Sequence, residues 1–415
     1  MNRSNILATA LCAALAAGAA VEWRPSALEI ASWNETMPPA ASGDAVFSPV
    51  GFGMTVAMLG EGIGGTARAD MAESLGLISD FSVAFANVLK SYDEANVSNR
   101  VAISIASSLW TTRRRALSAE YILSLQKNFG AEAGYLSAVL PVNIWTETKT
   151  DGRIANVLPE MPHKVDTLVV NAVAFEGAWK KPFERSKGKP TDFTLLDGRK
   201  VKVPIMRTTC PIVRVARERY VAAMADFAAK GMKFIVVLPA AGVGFAELRE
   251  KDFAGGGIDE LKALLRERMG NGVTYARTEF ALPRFTIRSD WRIDAALRKA
   301  KVPQRGFDRM GEGVFNVNDV RQSAYISVSG KGYSLTPGME PEVPEKPSRK
   351  GRSELAKAAD KEEDADLDGK PGIPFVCNRP FLFFVWDMTT DTLILAGQFT
   401  GEGQTTKDTK GDSKP

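Results

Sequence analysis

The chain has 415 residues, of which 45% are hydrophobic and 25% charged, and its formal net charge is +4. That composition suits a globular protein with a sizeable core, and the length alone admits one large domain or two to three average ones. The charge is small for this size and no basic stripe is interleaved with aromatics, so nucleic acid is not an expected partner.

The N-terminus, MNRSNILATALCAALAAGAAVEW, places Arg3 before an apolar run from Ile6 to Leu15, followed by the small residues Ala17, Gly18 and Ala19. This is the pattern of a secretory signal peptide cleaved near Ala19 or Ala20. The strongly apolar part is shorter than the ~20 residues a membrane span needs. Residues 1–20 are therefore expected to be a signal peptide that carries Cys12 away. The mature protein is expected to be secreted and extracellular, or periplasmic in a bacterium, with no membrane as partner. Asn34 and Asn96 open glycosylation sequons, which matter only in a eukaryotic secretory pathway.

The next stretch is rich in helical patterns. FSPVGFGMTVAMLGEG from Phe47 and TARADMAESLGL from Thr66 have apolar residues at helical spacing. FSVAFANVLKSYDE and SAEYILSLQKNFG are amphipathic, the latter opening on Ser118 and Glu120 in cap-like positions. Between them VAISIASSLW alternates as a strand, and VNIWTETKTDGRIANVLP reads as a surface helix. From Thr167 onward strands dominate: TLVVNAVAFEGAW, DFTLLDG, KVPIMRTT, RYVAAMADFA, GMKFIVVLP and VTYARTEFALPRFTI. GIDELKALLRERMG and WRIDAALRKA read as helices among them. Helices followed by many β segments, without regular βαβ alternation, define an α+β fold.

VRQSAYISVS alternates as a strand through Ala324, Ile326 and Val328, while RPFLFFVWD and TLILAGQF are nearly continuous apolar runs. Between them lies GKGYSLTPGMEPEVPEKPSRKGRSELAKAADKEEDADLDGKPG, residues 330–372, too polar to build a core. Pro337, Pro341, Pro344 and Pro347 favour extended backbone and lack the donor a β-ladder needs. A loop this long in a compact domain is usually functional or a linker. Residues 402–415 are polar and expected to be disordered.

Catalytic and metal chemistry find little footing. His163 is the single histidine, in the polar turn PEMPHKVD where a solvated side chain is expected, so neither a zinc site nor a histidine-based triad is indicated. No cofactor and no enzyme activity are expected. Cys210 and Cys377 can pair only if their Cα atoms lie within ~7 Å, and two separate buried thiols are the alternative.

Several segments, in order, resemble the serpin family of serine protease inhibitors. They are FSP at Phe47, SLW at Ser108, Asn143 with Trp145, Thr150 with Gly152-Arg153-Ile154, and Asn171-Ala172 followed by Gly177, Trp179, Pro182 and Phe183. DGRKVKVPIM, LPRF at Leu282, NDVRQSAYISV at Asn318, RPFLFFVWD at Arg379 and LAGQF at Leu395 complete the series. The resemblance runs from about Ser26 to Gly401, so residues 21–401 read as one serpin domain. It implies a large mixed central sheet, two smaller sheets, eight or nine helices, and an exposed reactive loop, here residues 330–374.

In that family the loop is bait for a protease, and after cleavage it inserts into the central sheet as a new strand, dragging the acyl-enzyme along. The resemblance implies a serine protease as partner and a monomeric chain. Arg349, Lys350 and Arg352 form the loop's dense basic cluster and are the candidate cleaved bonds for a protease of trypsin-like specificity. A charge cluster that merely keeps the loop soluble is the other reading.

The hinge departs from the inhibitory pattern. Gly330 stands where inhibitory members carry glutamate, Gly332 is kept, and the chain then reads Tyr333, Ser334, Leu335, Thr336 and Pro337 where they carry a small hydroxyl residue and a run of alanines. Tyr333 is bulky for a sheet interior and Pro337 lacks a ladder donor. The loop is also roughly twenty residues longer than is usual in the family, which slackens the pull on a protease. The region where the family's sheet opens has changed too. Ser48, Pro49 and Asn171 are kept, and Trp179 is kept at the sheet's upper end. Gly51 and Gly53 replace serines, Gln322 a histidine and Ser107 an asparagine, and simple repacking is the expectation for the glycines. Two functions remain open: an endopeptidase inhibitor, or a non-inhibitory serpin acting as carrier, binding module or protease substrate.

Overall fold

In a computed structural model of the chain, the described residues are 36–37, 39, 43–74, 81–97, 100–112, 116–183, 190–253, 256–270, 277–313, 315–330 and 373–402. Strand β4 (Thr167–Gly177) sets the layering, because all of its residues are buried. Side chains of a strand alternate between faces. Leu168, Val170, Ala172 and Ala174 pack toward one side, while Val169, Val173 and Phe175 join the main core on the other.

β4 is the middle of a five-stranded mixed sheet in the order β12 (Phe285–Arg292), β13 (Val317–Val328), β4, β2 (Val101–Thr111), β3 (Glu132–Tyr135). Within it β13 and β4 run parallel, as do β2 and β3. Behind it stands a six-stranded antiparallel sheet: β1 (Ala45–Phe47), β16 (Thr392–Phe399), β15 (Phe381–Asp387), β10 (Met232–Pro239), β9 (Tyr220–Asp226) and β8 (Val213–Ala216). A three-stranded sheet joins β14 (Phe375–Val376), β11 (Arg277–Pro283) and β7 (Ile205–Pro211), and β5 (Thr191–Thr194) pairs with β6 (Lys200–Val203) as a ribbon. The mixed sheet is thus outnumbered in strands by the antiparallel one, and the α+β class holds.

Helix α1 (Pro49–Glu61) runs through the core and is buried along its whole length, not only on one stripe. Ser48 is its N-cap and Pro49 its first residue, so the FSP segment is a strand end, a cap and a helix start in succession. Then come α2 (Gly65–Ser74), α3 (Phe81–Val97) and α4 (Ala119–Phe129). Ser118 caps α4 through the Tyr121 N–H, as its sequence position suggested. Helix α5 (Val139–Lys149) lies on the open face of the mixed sheet, where Val142 and Trp145 cluster with Leu168 and Val170. The short α6 (Phe245–Glu247) passes into a wider turn at Leu248–Phe253, and α7 (Gly257–Gly270) and α8 (Asp294–Lys299) follow.

Two readings need adjusting. The helical segment VNIWTETKTDGRIANVLP is helix only to Lys149; beyond Thr150 it is a coil laid across the sheet. Of WRIDAALRKA, Trp291 and Arg292 belong to β12, because they pair with Gln322 and Arg321 of β13; Trp291 also donates from Nε1 to the Val46 carbonyl of β1 at 2.7 Å. Among the described residues no helix is long and apolar enough to cross a membrane.

Candidate functional site: the central seam and its latches

The parallel pair β13–β4 is the seam of the mixed sheet, and it is closed from Val317 opposite Thr167 to Ser327 opposite Glu176. A strand can enter there only by breaking this ladder and replacing its hydrogen bonds.

Midway along the seam a buried polar network crosses both sheets. Gln322 of β13 sits in register with Asn171 of β4, which sits in register with Ser107 of β2. The Gln322 amide grips the cap of α1: its Oε1 accepts from the Ser48 N–H at 2.9 Å, and its Nε2 donates to the Ser48 carbonyl at 3.0 Å. Nε2 also donates across the seam to Asn171 Oδ1 at 3.3 Å, and Asn171 Nδ2 donates to Ser107 Oγ at 3.0 Å. Ser48 Oγ donates to the Ile394 carbonyl of β16 at 2.8 Å and accepts from the Gly51 N–H at 3.1 Å. Buried polar groups must be paired, and a network of this kind fixes one arrangement because each member satisfies its neighbour.

Gly51 makes that packing possible. A Cβ at this position would lie 2.1 Å from Asn171 Oδ1 and 3.0 Å from Gln322 Nε2. The expectation of simple repacking therefore understates the change: the Asn171 amide occupies the volume a side chain at 51 would need.

The upper end of the seam has its own latch. Trp179 is buried, stacks on Phe227 at a centroid distance of 4.6 Å, and meets Phe183 and Phe234 edge-on at 5.2 and 5.5 Å. Its indole Nε1 donates to the Ser329 carbonyl at 2.8 Å, and the Phe183 N–H donates to the Gly330 carbonyl at 3.1 Å. The residues just past β13 are thus bound to the segment just past β4. Gly177 is needed here for space, since a Cβ would strike the Phe227 ring at 2.6 Å.

A third fastening lies on the open face, and sequence reasoning did not find it. Arg153 and Glu176 are both buried and form an ion pair at 3.3 Å, while the Tyr325 hydroxyl of β13 donates to Glu176 Oε1 at 3.3 Å across the seam. Burial, then the Glu176 charge, pushes the Tyr325 phenol up to about 12. Ile154, next to Arg153, packs on Ala172 and Ala174. The signal was a glutamate at the end of the apolar run TLVVNAVAFEG, which needs a partner if buried.

The remaining site residues divide cleanly. Ser48, Pro49, Asn171, Trp179, Gln322 and Gly330 are placed as described above. Gly332, Tyr333, Ser334, Pro337, Arg349, Lys350 and Arg352 lie outside the described residues, as do residues 1–20, Asn34 and the tail beyond residue 402. The Asn96 amide is already engaged, donating to the Ile103 carbonyl at 2.7 Å and accepting from its N–H at 2.8 Å, so it is a poor glycan acceptor. Cys210 and Cys377 are separate buried thiols, and burial followed by Asp226 pushes the Cys210 thiol up to about 11. His163 is exposed.

The geometry is that of an α+β protein whose mixed sheet has a parallel seam, with the residues just past β13 fastened to the segment just past β4. The family model Serpin (serine protease inhibitor) matches residues 33–401, and the chain belongs to this family. Human Serpin B9 is 22% identical over 366 residues, covering 85% of this chain and 92% of its own. An uncharacterized serpin-like protein of Thermococcus kodakarensis is 23% identical over 368 residues, covering 85% and 79%. Among solved structures, Manduca sexta serpin-12 has a TM-score of 0.73 at 18% identity, covering 92% of this chain and 99% of that one. Thyroxine-binding globulin in complex with thyroxine has a TM-score of 0.71 at 15% identity, covering 91% and 98%. At these identities the structural likeness speaks for the fold alone.

Proposed function

We propose that this chain is a secreted serpin that offers the bonds after Arg349, Lys350 or Arg352 to a trypsin-like serine endopeptidase, and that the loop does not insert efficiently after cleavage. The protease is then engaged as by a substrate or reversible competitor and not held as a covalent complex. The observation that carries this reading is the mouth of the seam. The Ser329 and Gly330 carbonyls are bound there by Trp179 and Phe183, at the point where insertion would have to begin. Insertion must break those two latches and then seat Tyr333 and Pro337 between β4 and β13 in place of a paired ladder. A proline there leaves a ladder acceptor unpaired, and a bulky side chain overpacks a site sized for small residues.

Incubation with trypsin tests this directly. The expected result is cleavage within Arg349–Arg352 and no SDS-stable species larger than either protein. A stable covalent complex in good yield would show that the loop traps. A second reading is a non-inhibitory carrier; a protein of this fold, thyroxine-binding globulin, is known in complex with thyroxine. An intact chain that trypsin neither cuts nor is slowed by would favour it.

A further inference from the structure

The lower end of β13, opposite the latched mouth, borders an open cleft of about 690 Å³ between β12, α8 and the segment leading into β13. Three arginines line it, Arg292, Arg298 and Arg305, with Asp294 the one carboxylate in its wall. That carboxylate is already used: Asp294 accepts from the Val320 N–H at 3.2 Å and from Arg292 Nε at 3.3 Å. Asp319 nearby is likewise engaged by Arg321, at 3.0 and 3.1 Å. Among the described residues Arg298 and Arg305 have no carboxylate partner, and both are exposed. The concentration is local, since the chain as a whole carries only +4.

A guanidinium presents a planar fork of donors that matches the oxygens of phosphate and sulfate, and unlike a lysine it keeps its charge at any working pH. Cations gathered in a concave surface also reinforce one another's field. We propose that this cleft binds a compact oligoanion built of tetrahedral oxyanion groups, phosphate or sulfate esters, independently of the protease-bait loop. Arg298 and Arg305 supply the free forks, while Arg292, held by Asp294 at 3.3 Å, by the Asn318 carbonyl at 3.4 Å and 3.8 Å from Asp319, adds only its charge to the rim. Because Val317, the first residue of β13, lines the cleft, a bound anion braces the seam at its base. A ligand that binds only the folded state raises its melting temperature in a concentration-dependent way.

The test is calorimetric titration of the full chain at low salt with two probes, tripolyphosphate and sucrose octasulfate, paired with melting curves. Saturable one-site binding of at least one probe is expected, with a matching upward shift in melting temperature. Which probe binds identifies the source of the oxyanion. The R298E/R305E variant should bind about tenfold or more weakly. The K230E/R268E variant makes the same change in net charge at exposed positions elsewhere and should bind as the parent does. R298Q/R305Q serves if charge reversal disturbs folding. Binding of neither probe, or an equal loss in K230E/R268E, would overturn the assignment.

Discussion

Replacing Gly51 by alanine introduces one methyl group at the crossing point of α1, β4 and β13. The added carbon would sit 2.1 Å from Asn171 Oδ1, so the amide must rotate away. Rotation forfeits the bond from Gln322 Nε2 and the bond to Ser107 Oγ, at about 0.5–1.5 kcal/mol each. Overpacking at a site with no free volume costs a further ~1–3 kcal/mol. Against this, alanine favours the helix over glycine by about 0.5–1 kcal/mol. The net expectation is a destabilisation of about 3 kcal/mol, which for a chain of this size lowers the melting temperature by roughly 4 °C. The assay is differential scanning calorimetry of G51A beside G270A, a glycine at the end of α7 with open space where a Cβ would lie. G270A should melt within a degree or so of the parent. If G51A melts at or above the parent, the polar network does not close around Gly51 as described.

Three further outcomes rest on the sequence pattern and on the Tyr325 contact. Limited trypsin digestion should cut first within Ser348–Lys361 and leave the two pieces associated, because exposed loops between buried strands are nicked first; an earliest cut in the helices before Asn143 would displace the assigned loop. The purified mature protein should begin near Ala20 or Val21, and N-terminal sequencing that finds Met1 on exported material would contradict this. The folded state favours the neutral Tyr325 phenol, so its contribution is full below pH ~10 and is lost as pH rises toward about 12. Y325F should remove about 1–2 kcal/mol of that alkaline loss once partial exposure is discounted, read as a flatter denaturation midpoint between pH 9 and ~12; an unchanged slope would mean that burial and the Glu176 charge do not hold the phenol neutral as described.

The fold was legible where a segment's local chemistry has one solution. FSP reads as strand end, cap and helix start because each residue does only that well, and the alternation of Ala324, Ile326 and Val328 marks the core face of β13. What escaped was cooperation between distant positions. Gly51, Ser107 and Gln322 each look like an independent departure from the family pattern, yet they meet at Asn171, where a residue's size at 51 is set by an amide 120 positions away. Arg153 and Glu176 were hidden for the same reason: burial of a charge pair belongs to the packing of the segment after α5 on the sheet. The serpin pattern marks Gly330 as the first residue of the expected loop, but the latch by Trp179 and Phe183 runs through backbone carbonyls, which carry no sequence signal.

Cutting the loop decides whether the seam opens to receive a new strand. Insertion would exchange the β13–β4 ladder for two new ones and bury further apolar surface, so a loop that inserts raises thermal stability by a large margin. Pro337 opposes this by about 1–3 kcal/mol for an unpaired ladder acceptor, and Tyr333 by about 1–3 kcal/mol of overpacking. Both penalties fall at the start of insertion, on top of the two latches at Ser329 and Gly330, before any compensating bonds form. The measurement is a pair of melting curves, on intact protein and on protein nicked after Arg349, Lys350 or Arg352, in one buffer. Little or no change is expected; a large upward shift on nicking would establish that the loop inserts despite its hinge.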